Sequence, residues 1–174
     1  MAPTARRRFA ATVDPVEEDD RLATLRRVVF YGQWFVALLY PVLLFAGRTW
    51  LGAPSGWLAG FGLVMLAPPL FLALGLPVLI VAADRRALRE RIVHRPYALA
   101  SLVLWVALAV FAVTLGDPDA PATALVVIWS GGRIPAAAVA DVAVAAGSVA
   151  FAAWLVALGF AVGGLIEARR RRPD

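Results

Sequence analysis

The sequence predicts an all-α integral membrane protein, a bundle of four transmembrane helices. Two observations lead to this prediction. Of the 174 residues, 61% are hydrophobic and 17% are charged, whereas soluble domains average about 45–50% apolar and about 25% charged residues. The apolar residues also fall into four blocks, each long enough to cross about 30 Å of hydrocarbon at about 1.5 Å per helical residue.

The membrane domain is expected at residues 21–168, with spans at about 28–47, 57–83, 97–115 and 142–166. None of these blocks contains Asp, Glu, Lys, Arg or His, and Asp84, Asp141 and Glu167 lie only at their ends. Ionisable residues inside a membrane usually mark ion paths, proton relays or substrate sites. Their absence from the blocks disfavours proton-coupled transport by this chain alone.

The distribution of arginine predicts the orientation of the chain in the membrane. The chain has 17 basic residues, all of them arginine. Fifteen lie before the first block, between the second and third, or after the fourth, and only Arg48 and Arg133 lie in the other two connections. Because cytoplasmic loops carry the excess of basic residues, both termini and residues 84–95 are expected in the cytoplasm. The alanine-rich, lysine-free composition is typical of a GC-rich genome, and a bacterial plasma membrane is the expected location.

The terminal segments are expected to be short cytosolic tails, at residues 1–20 and 169–174. Arg-Arg-x-Phe near the start resembles a twin-arginine signal, but acidic residues follow it where such a signal needs an apolar region. Asp19 or Asp20 can cap a first helix that starts at Arg21. "DRRALRERI" is expected to extend the second helix into the cytosol, and Pro96 suits the start of the third.

The outward connection at 116–141 is less regular. Its segment 123–129 is apolar but too short to span a membrane. Two alternatives remain open from the sequence: an interfacial segment with Trp129 at headgroup level, or a re-entrant dip. Residues 134–140 are read as the start of a long fourth helix.

Prolines interrupt the second span, and one interrupts the first. A proline lacks an N–H and so leaves the carbonyl four residues earlier without its helical donor. Pro68, Pro69 and Pro77 would free the carbonyls of Val64, Met65 and Ala73, and Pro41 that of Ala37. In lipid a freed carbonyl needs another donor or a water. The sequence therefore predicts a kink at 64–69 that faces the protein interior, with the Tyr40 hydroxyl or a water near it. The kink is either purely structural or a small midplane cavity or hinge, with candidate residues Tyr40, Pro41, Val64, Met65, Pro68 and Pro69.

Small residues recur at spacings of four in the fourth span. Such spacing lets helix backbones approach closely. Gly147, Ser148, Gly159 and Gly163 are therefore candidates for a helix-packing face. The face serves either packing within the bundle or a partner helix in another protein or a second copy. Ser148 is read as a packing residue, since no histidine or lysine at membrane depth could activate it as a nucleophile.

Four arginines between the second and third spans, Arg85, Arg86, Arg89 and Arg91, are candidate contacts for anionic lipid headgroups. The alternative is that they serve orientation alone. The lipid bilayer explains the high pI better than nucleic acid does, because the arginines flank membrane segments. No nucleic-acid partner is expected.

Several function classes are disfavoured by what the sequence lacks. Without cysteine, thiol chemistry and cysteine-held metals are excluded. His94 alone cannot form a bis-histidine haem site, and no nucleotide-binding or hydrolase motif is present. No cofactor or metal is expected, and the protein is not expected to be an enzyme. The expected function is a non-catalytic accessory or assembly subunit of a larger membrane complex. The alternative is a small oligomeric transporter or channel component that uses the proline-broken second span.

Overall fold

The computed structural model describes residues 15–118 and 120–170. Within these ranges all regular secondary structure is helical. The long helices are Pro15–Val42, Ala67–Ala83, Arg95–Thr114 and Ala136–Arg170, and short ones are Arg48–Trp50, Trp57–Phe61, Arg85–Glu90 and Leu125–Trp129. Two π-helical segments, Leu43–Gly47 and Gly62–Leu66, and a 3₁₀ turn, Pro121–Thr123, complete the described part of the chain.

Four helical stretches are long and apolar enough to cross a membrane, which confirms the predicted number of spans. The first span is Leu22–Trp50, the second Trp57–Ala83, the third Arg95–Thr114 and the fourth Ala136–Arg170. Large apolar side chains such as Leu72, Val106 and Val144 are more than 60% exposed. A surface of this kind suits lipid, since a soluble protein rarely exposes contiguous apolar area.

The four spans form a bundle in which each contacts two main neighbours. The first span packs against the second and third, and the fourth also packs against the second and third. Residues 51–56, 115–118 and 120–135 lie at one end of the bundle, called the distal end below. Residues 84–94 lie at the other end, called the terminal end, together with the start of the first span and the last residues of the fourth.

The third and fourth spans make the most extensive contact in the protein. The fourth span buries one line of small residues against the bundle: Val139, Ala143, Ala146, Ala150, Ala153, Ala157 and Ala161. Their spacing alternates between four and three from Val139 to Ala157, as in a coiled-coil seam, and is again four from Ala157 to Ala161. Alanine lets the two backbones come close. The intrachain packing face of the fourth helix is therefore an alanine seam, distinct from most of the small residues singled out in the sequence.

Three apolar layers fill the bundle. The layer at the terminal end contains Val29, Tyr97 and Ala157. The middle layer is apolar apart from the half-buried Tyr40, Trp105 and Trp154 at its margin. Its buried members include Ala37, Leu74, Leu104 and Ala150. The distal layer contains Leu44, Phe45, Leu58 and Ala67. Buried polar side chains such as Gln33, Ser101, Arg48 and Asp117 lie towards the two ends.

Two helix boundaries differ from those expected. The first helix begins at Pro15 rather than Arg21. Proline suits the first turn of a helix, and the acidic residues that follow it favour the positive end of the helix dipole. Residues 1–14 and 171–174 of the predicted tails lie outside the described residues. The second helix does not continue into residues 85–90, because Asp84 is extended (φ −80°, ψ 106°) and separates the two helices.

Residues Leu125–Trp129 form about one and a half helical turns. These turns pack across the distal end of the bundle. Leu125 and Val127 are buried, and Ala124, Val127 and Val139 form a small cluster with the start of the fourth span. The Trp129 indole is 57% exposed and donates from Nε1 to the Leu51 carbonyl at 3.2 Å. Its position relative to a membrane, interfacial or re-entrant, stays a prediction.

Candidate functional site

The backbone around Pro41 and Pro68 leaves the regular α-helical register. Leu43–Gly47 follows Pro41, and Gly62–Leu66 precedes Pro68 and Pro69. In the second segment the Ala67 N–H donates to the Gly62 carbonyl, five residues earlier. Single π-helical turns of this kind are frequent at functional sites. The two irregular segments lie against each other, because the Phe45 ring occupies the space beside Gly62 where a β-carbon would stand.

The side chains around the Pro-Pro pair do not face the interior. Val64 is 65% and Met65 is 56% exposed, and Pro68 and Pro69 are exposed as well. The expectation of an inward-facing segment is therefore wrong for these four side chains. The physical reason is the helical face: Gly62 and Ala67 are the buried residues of this segment, and Gly62 leaves room for the Phe45 ring. Pro41, by contrast, is almost fully buried.

Tyr40 does not reach the carbonyls that the prolines leave free. Its hydroxyl donates to the Leu108 carbonyl of the third span at 2.9 Å. This bond joins the first and third spans in the middle layer. Of the two expected donors to the freed Val64 and Met65 carbonyls, the Tyr40 hydroxyl and a water, the hydroxyl therefore bonds to a different helix.

The carbonyl that Pro77 frees has a hydrogen-bond donor that the sequence alone does not predict. The freed carbonyl of Ala73 accepts a hydrogen bond of 2.8 Å from the Trp154 indole Nε1 of the fourth span. Ala73 lies four residues before Pro77, so the indole takes the place of the missing helical donor. The bond satisfies a main-chain group that lipid could not satisfy.

A cleft opens at the terminal end between the second, third and fourth spans. His94 Nε2 lies 3.9 Å from Asp84 Oδ2, with the histidine side chain 53% exposed and the aspartate side chain 9% exposed. Gly164 of the fourth span makes room for the imidazole, since a β-carbon there would lie 3.0 Å from His94 Cδ2. The first span is tied to the same connection by Arg26, whose Nε donates to the Val93 carbonyl at 2.6 Å.

Buried polar groups extend from this cleft into the bundle. Tyr97 lines the cleft, and its hydroxyl donates to Gln33 Oε1 at 2.8 Å. Ser101, four residues further along the third span, is buried as well. Gln33 is 4% exposed, and its Nε2 is buried without a hydrogen-bond partner. Gln33 is the innermost member of this polar group, and the neighbouring middle layer is mainly apolar.

The distal end contains a charged pair that the sequence reading overlooked. Arg48 is 5% exposed and donates from a terminal guanidinium nitrogen to the Thr123 carbonyl at 3.1 Å. Asp117 interacts electrostatically with Arg48 and accepts from the Leu58 N–H at 3.1 Å. It thereby caps the start of the second span from a distant part of the chain. Gly56 is required beside it, because a β-carbon would collide with the Asp117 carboxylate.

The four predicted small residues of the fourth span have two different environments. Gly147 packs against the Phe111 ring of the third span, at 3.3 Å from the position of a β-carbon. Ser148, Gly159 and Gly163 are exposed. The Ser148 hydroxyl donates to the Val144 carbonyl of its own helix at 2.9 Å, and nothing lies within 4 Å of a β-carbon at Gly159 or Gly163. We call the surface of Ser148, Ala152, Gly159 and Gly163 the small-residue face.

The candidate lipid-contact arginines lie at the terminal end. Arg89 and Arg91 are exposed, and the side chains of Arg85 and Arg86 lie outside the described part of the structure. Arg91 has a positive φ of 54°, a conformation that ends the helix Arg85–Glu90 and that L-residues other than Asn and Asp adopt rarely. Their contact with lipid headgroups stays a prediction.

Within the described ranges no three His, Asp or Glu side chains lie close enough to hold a metal ion. Comparison with protein-family models, with curated proteins and with solved structures finds no match to this chain. The geometry of these sites is therefore the basis of the functional proposal.

Proposed function

We propose that the protein is a non-catalytic accessory or assembly subunit of a larger membrane complex, and that the small-residue face of its fourth span binds a transmembrane helix of a partner protein. The observation that carries the proposal is the open space at Gly159 and Gly163. The fourth span already has a complete seam for its own bundle, on different residues. A second line of small residues on its outer side is typical of a contact between helices of different chains.

The degree of burial supports this assignment. In the most apolar stretch of the fourth span 22% of the residues are buried within the bundle, against 44% for the third span. The exposed part of the small-residue face runs from Ser148 to Gly163, about 22 Å at 1.5 Å per residue. A partner helix could follow it across most of the hydrocarbon core.

The interior of the bundle supports a non-catalytic, non-transporting role. Its charged and amide groups lie at the two ends, and the middle layer that separates them is closed by Ala37, Leu74, Leu104 and their neighbours. A path for ions or protons through a single chain would need polar groups or water at that depth.

The proposal also includes the orientation and the membrane. We infer that the terminal end faces the cytoplasm of a bacterial cell and that the distal end faces outward. The arginine distribution of the sequence supports this, since fifteen of its seventeen arginines belong to the terminal end or the segments attached to it.

The subunit proposal is tested by extraction in a mild detergent and native mass spectrometry. The wild type should be recovered in a complex with a second polypeptide at a fixed ratio. Gly159→Leu and Gly163→Leu should each release it, because a leucine side chain would separate the two helices. Gly75→Leu is the matched control, since Gly75 also has open space beside it but lies on the second span. Recovery of the wild type as an isolated 18.6 kDa chain would contradict the proposal.

A second candidate function, a small transporter or channel component, is favoured by one observation. The π-helical segment Gly62–Leu66 lies one residue before the Pro-Pro pair, and such segments are frequent at functional sites and at helix kinks. If this segment moves during transport, Pro68→Ala with Pro69→Ala should abolish a flux measured in proteoliposomes. A solute flux that persists in the double variant would exclude the second span as the moving element.

A further inference from the structure

Arg26 of the first span is held in a fixed orientation at the terminal end. Its Nε donates to the Val93 carbonyl at 2.6 Å, and Val93 is itself 1% exposed within the apolar layer of this end. A guanidinium carries its five N–H donors in a planar fork. The bond to Val93 uses the Nε donor and fixes the plane of the fork. The other four donors belong to the two terminal nitrogens.

The level of Arg26 in the membrane follows from the length of the first span. The span Leu22–Trp50 has 29 residues and is therefore about 43 Å long, whereas the hydrocarbon core is about 30 Å thick. With the span centred, about four residues at each end extend into the headgroup region. Arg26 follows the first four residues of the span, so its guanidinium lies where hydrocarbon gives way to the lipid phosphates.

Arg91 places a second guanidinium in the same region. It precedes Val93 by two residues, and two residues of extended chain cover at most about 7 Å. Its side chain is exposed, and its φ of 54° lies in the left-handed region. Glycine adopts this conformation without strain, whereas arginine does not. The backbone alone therefore does not account for an arginine at this position.

We propose that Arg26 and Arg91 together bind the phosphate of an anionic phospholipid at the terminal end. Arginine binds phosphate oxygens through pairs of parallel N–H bonds. Two guanidinium groups at one phosphate favour a headgroup that has no ammonium of its own. The surroundings give the same preference, because fifteen of the seventeen arginines belong to this end or to the segments attached to it.

The site goes beyond both the sequence prediction and the partner-binding role of the fourth span. Arg26 is not among the arginines predicted as lipid contacts, because only its bond to Val93 shows that it lies beside the connection between the second and third spans. The site also shares no residue with the small-residue face. Loss of lipid binding and loss of a partner helix are therefore separate outcomes.

Competition between two lipids tests the proposal. The full-length protein is placed in micelles that contain equal amounts of phosphatidylglycerol and phosphatidylcholine, and bound lipids are counted by native mass spectrometry. Phosphatidylglycerol should be preferred about tenfold, the worth of one charge-assisted hydrogen bond. Arg26→Gln and Arg91→Gly should each reduce this preference to about threefold or less, because one guanidinium remains. Arg133→Gln is the matched control. It removes the same charge from an exposed position of the distal end and should leave the preference unchanged.

Arg91→Gly keeps the test valid if Arg26→Gln fails to fold. It removes the guanidinium but relieves the positive φ, so the variant should unfold at the same temperature as the wild type or at a higher one. Equal binding of the two lipids by the wild type would overturn the proposal, and so would a wild-type preference in both variants. Displacement of the bound lipid by inorganic phosphate at the same concentration would overturn the assignment of the phosphate to a lipid.

Discussion

The indole Nε1 of Trp154 donates a hydrogen bond of 2.8 Å to the main-chain carbonyl of Ala73, which Pro77 leaves without its helical donor. The two residues belong to the fourth and second spans and are 81 positions apart. The bond lets a proline remain inside the buried side of a membrane helix, since Pro77 is itself buried. It also fixes how the second and fourth spans are rotated against each other.

This relationship predicts a specific coupling between Trp154 and Pro77. Trp154→Phe removes the donor and should lower the free energy of unfolding by about 1 kcal/mol beyond the packing loss. In a Pro77→Ala background the N–H of residue 77 returns and satisfies the Ala73 carbonyl. In that background, Trp154→Phe should lower the free energy of unfolding by about 1 kcal/mol less than it does in the wild type. The double-mutant cycle is measured by denaturant unfolding in detergent. An equal cost of Trp154→Phe in both backgrounds would mean that the hydrogen bond contributes nothing.

The contact between Phe45 and Gly62 predicts opposite effects for two glycine substitutions. Gly62→Ala forces the Phe45 ring to move, because the added β-carbon would overlap it, and overpacking of this kind typically costs about 1–3 kcal/mol. Gly60→Ala should be neutral or stabilising, since its β-carbon would meet open space and alanine favours a helix over glycine by about 1 kcal/mol. Thermal unfolding of the two variants compares them directly. A Gly62→Ala variant as stable as Gly60→Ala would show that the two π-helical segments do not depend on this contact.

The distal charged pair predicts that Arg48 and Asp117 are coupled. Asp117→Ala leaves the buried Arg48 guanidinium without its nearby anion and removes the cap from the Leu58 N–H. Loss of a capping hydrogen bond costs about 0.5–2 kcal/mol, and loss of the electrostatic attraction between Asp117 and Arg48 adds to that cost. Replacing both residues, as Arg48→Leu with Asp117→Ala, should cost less than the sum of the single losses. The free energies of unfolding of the three variants decide this, and strict additivity would show that the two charges act independently.

The orientation proposed for the chain predicts labelling from one side only. The chain has no cysteine, so a single introduced cysteine reports its own position. Leu88→Cys, at an exposed position of the terminal end, should react with a membrane-impermeant maleimide only after the cells are opened. Arg133→Cys, exposed at the distal end, should react in intact cells. Labelling of position 88 in intact cells would show that the orientation is the opposite of the one proposed.

The spans could be predicted from the sequence because hydropathy and length are local properties. It could also be predicted from the sequence that the Ala73 carbonyl lacks its helical donor, because Pro77 lies four residues later. Its replacement donor could not be found in this way, since Trp154 becomes a neighbour only when the fourth span packs against the second. A tryptophan buried in an otherwise apolar span is nonetheless a signal, because its N–H needs an acceptor.

Long-range contacts also explain the other differences. Asp117 lies in a turn-rich segment and shows its capping role only when that segment folds back to Gly56 and Leu58. From the sequence, glycine and serine are the predicted small packing residues of the fourth span. In the structure alanine forms the internal seam, because its spacing matches the facing helix, and the exposed small residues form a separate face.

The central claim is that the small-residue face binds another protein, and cross-linking within intact membranes tests it most directly. A benzophenone attached to Gly163→Cys should give one cross-linked product, with a polypeptide other than this chain. Leu72→Cys is the matched control. It is 68% exposed but lies on the second span, away from the small-residue face, and should react with lipid only. A product of twice the chain mass, or identical products from the two positions, would contradict the claim.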